Sequence, residues 1–503
     1  MVAVPFCRFP IRHIWNRMGL SVISLPMEPN ENNMMRSHLF DMAVLRAEWS
    51  LASESIGVAR TLFWLLVFVA MRIPRMCAKR VAVWLRLRPV PTTAPHQQLA
   101  MSFPKGNHDF RVMFCSSDNS AGSGAFRSMA ALASLLKNRH HIKSLVVLPH
   151  PGDGTELLDE AKIPYILVPS CTWTVPLDID TRKARNSRTM VSSILVNHGA
   201  IRKLTKLILA YGVDIVHVNT TWTYVGALAA KKCGVPCVWH LREFLEEDQG
   251  RTIWSRQAGS RIMANADRVV AISASIQRKY RDVISPDRLV TILNGIDTGL
   301  YFRPNHAVFE KKPYEFVFLG NFRKHKGHVE FSKACASLYR DGCRMFRVCF
   351  VGGGDKDVRD ECDRIFVRTG MQNIVSYLGF QKHPEVFLEK ADVAFMCSKS
   401  EAFGRVTVEA MMAGCLVIGA ATAGTLELIT DGETGLLFEY EESGFTNLAE
   451  KMKEAIDNPN RSRRIAEAGR SFAVEHFTAE RNAYEIAELY RGLISDRAGA
   501  IQA

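Results

Sequence analysis

From Phe110 onward, short apolar runs alternate with longer stretches in which apolar residues recur at helical spacing. The short runs read as buried strands and the longer ones as amphipathic helices, the pattern of βαβ units and a parallel sheet. The runs form two series. The first holds Val112–Cys115, Leu145–Leu148, Tyr165–Val168, Asp214–Val218, Val235–Trp239, Val269–Ile272 and Leu289–Leu293. The second holds Phe316–Leu319, Arg347–Val351, Ile374–Leu378, Val393–Met396 and Leu416–Ile418. Tyr301-Phe302-Arg303-Pro304-Asn305 and Lys311-Lys312-Pro313 form a polar, proline-marked join between them. The pattern predicts an α/β protein of two doubly wound domains, residues 109–300 and 301–476, with a C-terminal helix in 477–503. Ala483, Ile486, Ala487 and Tyr490 share one face of that helix. No solenoid-type repeat is visible.

Residues 1–108 do not follow this pattern and are read as an N-terminal extension. Between Glu54 and Asp109 there is no acidic residue, whereas Arg60, Arg72, Arg75, Lys79, Arg80, Arg86, Arg88 and Lys105 fall there. These eight account for more than half of the formal net charge of +13. The same span contains the uncharged run from Thr61 to Met71. As a helix this run covers ~16 Å, about half of a ~30 Å hydrocarbon core, so it is too short to span. Flanking arginines with Trp64 and Trp84 suit a segment lying on an anionic membrane surface. An ordinary helix pair packed on the protein is the plainer alternative. Nucleic acid is not expected, because no aromatic-and-basic recognition motif accompanies the charge. Residues 1–55 have no clear period and lack the order of features of a cleaved signal peptide, and Met27, Met34 and Met35 leave a later start open.

Composition fits a folded enzyme-sized chain: 503 residues, 47% hydrophobic and 23% charged. The twelve cysteines are scattered and several, such as Cys115, Cys349 and Cys397, lie inside apolar runs. Cys233 and Cys237 are the one close pair, with no second pair or His cluster to complete a zinc site. Reduced thiols and a cytoplasmic location are expected.

Candidate chemistry collects where strands end, as it does in doubly wound sheets. Glu401 and Glu409 stand eight residues apart in Ser400-Glu401-Ala402-Phe403-Gly404-Arg405-Val406-Thr407-Val408-Glu409-Ala410. The spacing puts Glu401 in the loop after a strand and Glu409 one turn inside a helix from Arg405 to Ala413. Gly404 and its neighbours leave free backbone N–H groups at the helix start, a seat for phosphate. By itself a spaced Glu pair is ordinarily two solvated side chains. Ser116–Ala125, with Gly122 and Gly124, turns tightly out of the first strand. His240 and the Arg242-Glu243 pair follow a buried run, where a packed histidine and a local salt bridge are the plain reading. Asn294-Gly295 reads as a turn, and Gly352-Gly353-Gly354 lacks the third glycine of a dinucleotide fingerprint.

In order and spacing, these segments together resemble the E-x7-E signature of retaining GT-B glycosyltransferases, in particular glycosyltransferase family 4. The likeness continues through Ala410–Gly419, Gly424–Ile429 and Asp431–Phe438, and covers residues 110–495. It implies a GT-B fold, two Rossmann-like domains with a cleft between them, and a nucleotide-sugar donor. By resemblance, Glu401 touches the donor sugar, Glu409 binds the ribose, and Phe403, Gly404, Arg405 and Val406 hold the diphosphate. His240 lies near the transferred sugar, and Gly122 and Gly124 face acceptor and phosphates. At Gly320-Asn321-Phe322-Arg323-Lys324-His325-Lys326-Gly327, Lys326 matches the family's diphosphate-clamping lysine, but Asn321 stands where an arginine is usual. Arg323 is the candidate replacement. Lys326, Arg323 and the helix start supply the charge a departing diphosphate needs, so no metal or cofactor is expected. The C-terminal helix is expected to cross back onto the first domain. The implied activity is retaining sugar transfer to a glycan or lipid-linked acceptor, in polysaccharide or lipopolysaccharide assembly at the inner face of a membrane. A nucleotide-sugar epimerase of the same fold and a non-catalytic GT-B scaffold are the alternatives.

Overall fold

The computed structural model describes residues 48–50, 110–177, 187–440 and 445–502. The basic apolar segment 55–108 lies outside them. Strands β1 (Arg111–Cys115), β2 (Lys143–Leu148), β3 (Tyr165–Leu167), β5 (Ile215–Asn219), β6 (Cys237–Leu241), β8 (Arg268–Ala271) and β9 (Leu289–Thr291) build the first sheet. Its order is β3-β2-β1-β5-β6-β8-β9, parallel throughout. The second sheet holds β10 (Tyr314–Leu319), β11 (Phe346–Val351), β12 (Val375–Tyr377), β13 (Val393–Met396), β14 (Leu416–Ala420) and β15 (Leu436–Phe438). Its order is β12-β11-β10-β13-β14-β15, also parallel. Both are doubly wound α/β sheets, so the expected fold class holds.

The strand sequences explain this arrangement. Parallel strands covered by helices on both faces are apolar along their length, and β5, β6, β13 and β14 are buried at every position. Each expected strand occurs, with some ends shifted. The run read as Val235–Trp239 forms β6 from Cys237 instead, because Pro236 has no N–H to give to the ladder. Two features escaped the sequence. β15 is three residues long, and β4 (Thr174–Pro176) pairs antiparallel with β7 (Arg251–Ile253) as a separate ribbon.

The helix Ala479–Gln502 packs on the helix Gly124–His140 of the first domain. Ala483, Ile486, Ala487, Tyr490 and Leu493 join the core around β1, β5 and β6. A helical turn at residues 48–50 rests on the helix Ser187–Tyr211, where Glu48 Oε2 meets His198 Nδ1 at 2.8 Å. The ten described cysteines are free. Among the described residues, no helix is long and apolar enough to cross a membrane.

In each sheet the strand order reverses once, at β1/β5 and at β10/β13. Such a switch point leaves a crevice beyond the carboxyl ends of the strands. The loops that leave β1, β6, β10 and β13 carry the candidate chemistry.

Candidate active site

A cleft of about 930 Å³ opens at the two switch points. Its first-domain wall includes Gly122, Gly124, Arg242, Glu243 and Asp248, and its second-domain wall includes Gly320, Arg323, Lys326 and the run from Glu401 to Val406 with Glu409. Of the residues given a site role by resemblance, all but His240 line it.

Lys326 sits at the centre. Its Nζ is 2.8 Å from Glu401 Oε2 and 3.2 Å from Asp248 Oδ1, so one ammonium joins both walls. Burial works against its charge, but the two carboxylates outweigh that and hold the lysine well above its usual range. The backbone fixes its position. Gly327 has φ +79°, and a Cβ there would stand 2.1 Å from the Cys397 carbonyl oxygen, so the loop after β10 can pack on the end of β13 only with glycine. His325 Nε2, on the preceding residue, is 3.3 Å from the same Asp248 oxygen. Asp248 itself was missed: in Glu246-Glu247-Asp248 nothing in the sequence distinguishes it from a solvated acidic turn.

The helix Arg405–Ala413 begins at Gly404, which takes φ +88° and offers no capping side chain. The N–H groups of Arg405 and Val406, which line the cleft, therefore have no helical partner. Arg405 stands at this positive end, against the helix dipole. Its Nη2 donates to Glu409 Oε1 at 2.9 Å, and its Nη1 donates to Ser128 Oγ of the first domain at 2.6 Å. The Phe403 ring meets Phe477 edge-on at 5.9 Å. The domains are also tied beside this loop. Ser273 Oγ donates to the Ala402 carbonyl at 2.6 Å, and Glu427 accepts from Ala274 N at 2.7 Å and Ser275 N at 2.6 Å.

His240 sits deeper than the sequence placed it. Because β6 starts late, His240 lies inside the strand, fully buried and outside the cleft lining. Its Nδ1 is 3.1 Å from His217 Nε2, and His217 Nδ1 is 2.6 Å from Tyr490 Oη on the C-terminal helix. Burial, reinforced by the Arg242 charge, keeps the His240 imidazole well below its usual pKa and neutral. The wall position belongs to Arg242 and Glu243 instead. They do not pair with each other: Arg242 Nε donates to Asn219 Oδ1 and Nη1 to Asn294 Oδ1, both at 2.6 Å. Glu243 Oε1 accepts from Thr221 N at 2.7 Å and from Thr221 Oγ1 at 2.5 Å. Asn294, read as a turn residue, thus also holds the wall.

Asn321 fills no charged role. Its Oδ1 accepts from Gly353 N at 3.2 Å and closes the turn after β11. Asp355, beyond that turn, caps the helix Lys356–Thr369 through Asp357 N at 2.9 Å.

Comparison with known families agrees with this geometry. The profile described as "Glycosyltransferase Family 4" matches residues 122–300, and "Glycosyl transferases group 1" matches residues 303–472. The chain is a family 4, group 1 glycosyltransferase. The alpha-maltose-1-phosphate synthase of Mycolicibacterium smegmatis is 27% identical over 317 residues, 56% of this chain and 80% of that protein. The D-inositol 3-phosphate glycosyltransferase of Corynebacterium aurimucosum is 28% identical over 249 residues, 46% of this chain and 56% of that protein. Among solved structures, Anabaena HepE in complex with UDP and glucose superposes with a TM-score of 0.61 at 22% identity, covering 76% of this chain and 100% of HepE. The two parallel sheets and the cleft of this glycosyltransferase are thus those of the GT-B fold.

Proposed function

We propose that this glycosyltransferase moves a sugar from a nucleoside-diphosphate-sugar to a glycan or lipid-linked acceptor, with retention at the anomeric carbon and without a metal. One observation carries the reading. Lys326, paired with Glu401, stands on the same wall as the uncapped helix start at Gly404–Val406 and as Glu409. These groups match a donor read from sugar to diphosphate to ribose. Glu401 meets the sugar, Lys326, Arg323 and the N–H groups meet the diphosphate, and Glu409 meets the ribose.

As the bond between the anomeric carbon and the phosphate oxygen breaks, negative charge gathers on the leaving diphosphate. A fixed ammonium and oriented N–H dipoles stabilise that charge more than they stabilise the bound donor, which is the condition for raising kcat. The fold shared with HepE, solved with UDP and glucose, supports a nucleotide-sugar. The fold shared with the lipopolysaccharide outer core galactosyltransferase WaaB, at TM-score 0.58, is in keeping with a role in surface polysaccharide or lipopolysaccharide assembly. The basic segment 55–108 would hold the enzyme on the inner face of an anionic membrane, next to such an acceptor.

The test is incubation with a panel of UDP-, GDP- and ADP-sugars and a membrane extract, followed by mass spectrometry and NMR of the product. A glycosylated product with the donor's anomeric configuration, formed in the presence of EDTA, is expected. Inversion of a sugar stereocentre without transfer would establish an epimerase instead.

A further inference from the structure

One carboxylate on the first-domain wall has only half of its hydrogen bonding met by the protein. Glu243 is 7% exposed and lines the cleft just beyond β6. Its Oε1 is held by the Thr221 N–H and hydroxyl. Its Oε2 is buried and has no partner among the described residues. Arg242, its chain neighbour, does not fill the gap, because its nitrogens are directed to Asn219, Asn294 and His240. A buried carboxylate oxygen without a donor is costly, and a ligand hydroxyl removes that cost. The groups assigned to the donor stand on the other wall. Asp118 lines the cleft on the Glu243 side, so this side presents acceptors of hydrogen bonds and suits a molecule rich in hydroxyls.

We propose that Glu243 binds the acceptor substrate, its Oε2 receiving a hydrogen bond from a sugar or polyol hydroxyl of that acceptor. The proposal rests on the sugar-transfer reading above and adds the residue that positions its second substrate. The electrostatics agree. Burial raises the Glu243 carboxyl to about 7; the Thr221 bonds and the Arg242 charge oppose this, and Asp118 adds to it. Tyr280, the other titratable group that senses Glu243, is itself pushed up and stays protonated near neutrality. The ionised form, which can only accept, is the one that engages a hydroxyl. Acceptor use therefore rises with pH through about 7.

The test uses the full chain, the donor identified by the panel, and a total lipid extract of membranes as acceptor at sub-saturating concentration. Glu243→Gln keeps an oxygen for Thr221 but replaces the accepting Oε2 by an amide nitrogen. Initial transfer rate should fall by roughly tenfold or more, the loss of one hydrogen bond to a charged group. The rise of rate with pH should disappear, while nucleoside-diphosphate affinity by calorimetry stays that of wild type. A variant that transfers at the wild-type rate and keeps the pH limb overturns the proposal. So does one that loses nucleoside-diphosphate affinity together with rate. Should the variant not fold, a wild-type rate that is flat across neutrality overturns it equally. Wild-type protein that binds no nucleoside diphosphate would sink the donor reading itself, an outcome distinct from a variant that binds donor and transfers normally.

Discussion

Arg405 donates to Glu409 across 2.9 Å, so the carboxylate assigned to the ribose is already engaged by a residue one turn earlier in its own helix. A cation at a helix N-terminus opposes the dipole, and Arg before Glu at this spacing is the weaker orientation. A local rule broken in this way marks a functional site. Here it adds positive charge where a diphosphate would lie and sets Glu409 in place beforehand. Ribose contacts are shared by ground and transition states. Glu409→Ala should therefore raise donor KM by about tenfold with kcat nearly unchanged. Initial rates against donor concentration check this, and a kcat loss at constant KM contradicts it.

Lys326 is predicted to act on the chemical step. Lys326→Ala leaves Glu401 and Asp248 as facing carboxylates without their cation and removes charge stabilisation from the leaving diphosphate. The loss in kcat should be about 10²- to 10³-fold, as for other fixed groups aimed at developing charge. Glu401→Gln keeps the shape but loosens the Lys326 ammonium, and a displacement of an ångström costs about 10²-fold. Circular dichroism should show an intact fold in the Gln variant. Turnover near wild type in either protein removes it from the proposed role.

Arg323 lines the cleft, and no carboxylate pairs with it among the described residues. Asn321, at the position where an arginine is usual in the family, is spent on the turn at Gly353. If Arg323 carries the missing charge, Arg323→Ala should weaken nucleoside-diphosphate binding roughly tenfold, the worth of one charge-assisted hydrogen bond. Arg323→Lys should recover part of it, since lysine restores the charge but not the planar fork. Calorimetry with UDP, GDP and ADP reads both variants. Unchanged affinity in Arg323→Ala would show that the departure at Asn321 needs no replacement.

The sequence made the site legible where function follows local order. Glu401, Gly404 and Glu409 lie on one strand–loop–helix unit, and their placement needs only the two periodicities and a glycine at the helix start. What it hid depends on contacts distant in sequence. Asp248 reaches Lys326 from the other domain, Ser128 receives Arg405, and Glu427 caps a helix about 150 residues earlier. None of these residues differs in type from a solvated neighbour. His240 sits deeper than expected for a different reason. Two residues of slip at Pro236 moved it from the rim of the strand to its interior, and placed Arg242 and Glu243 at the wall. In a doubly wound sheet the strand end is where the chemistry lies, so a shift of two residues there changes which side chains reach the cleft.

The remaining prediction concerns residues 55–108, which carry eight basic and no acidic side chains around an apolar run too short to span. On an anionic surface each basic side chain contributes about 1 kcal/mol, and salt screens the attraction. Binding to anionic vesicles should fall at high salt, and fall further when Arg72, Arg75, Lys79 and Arg80 are changed to Gln. Trp64→Ser should weaken the part that survives salt, because it removes apolar burial instead of charge. Vesicle sedimentation of the full-length chain reads all three effects. Protein that stays in the supernatant with anionic vesicles at low salt refutes surface binding. Binding that resists both high salt and carbonate washing points to deeper insertion, which a run of this length does not provide by itself.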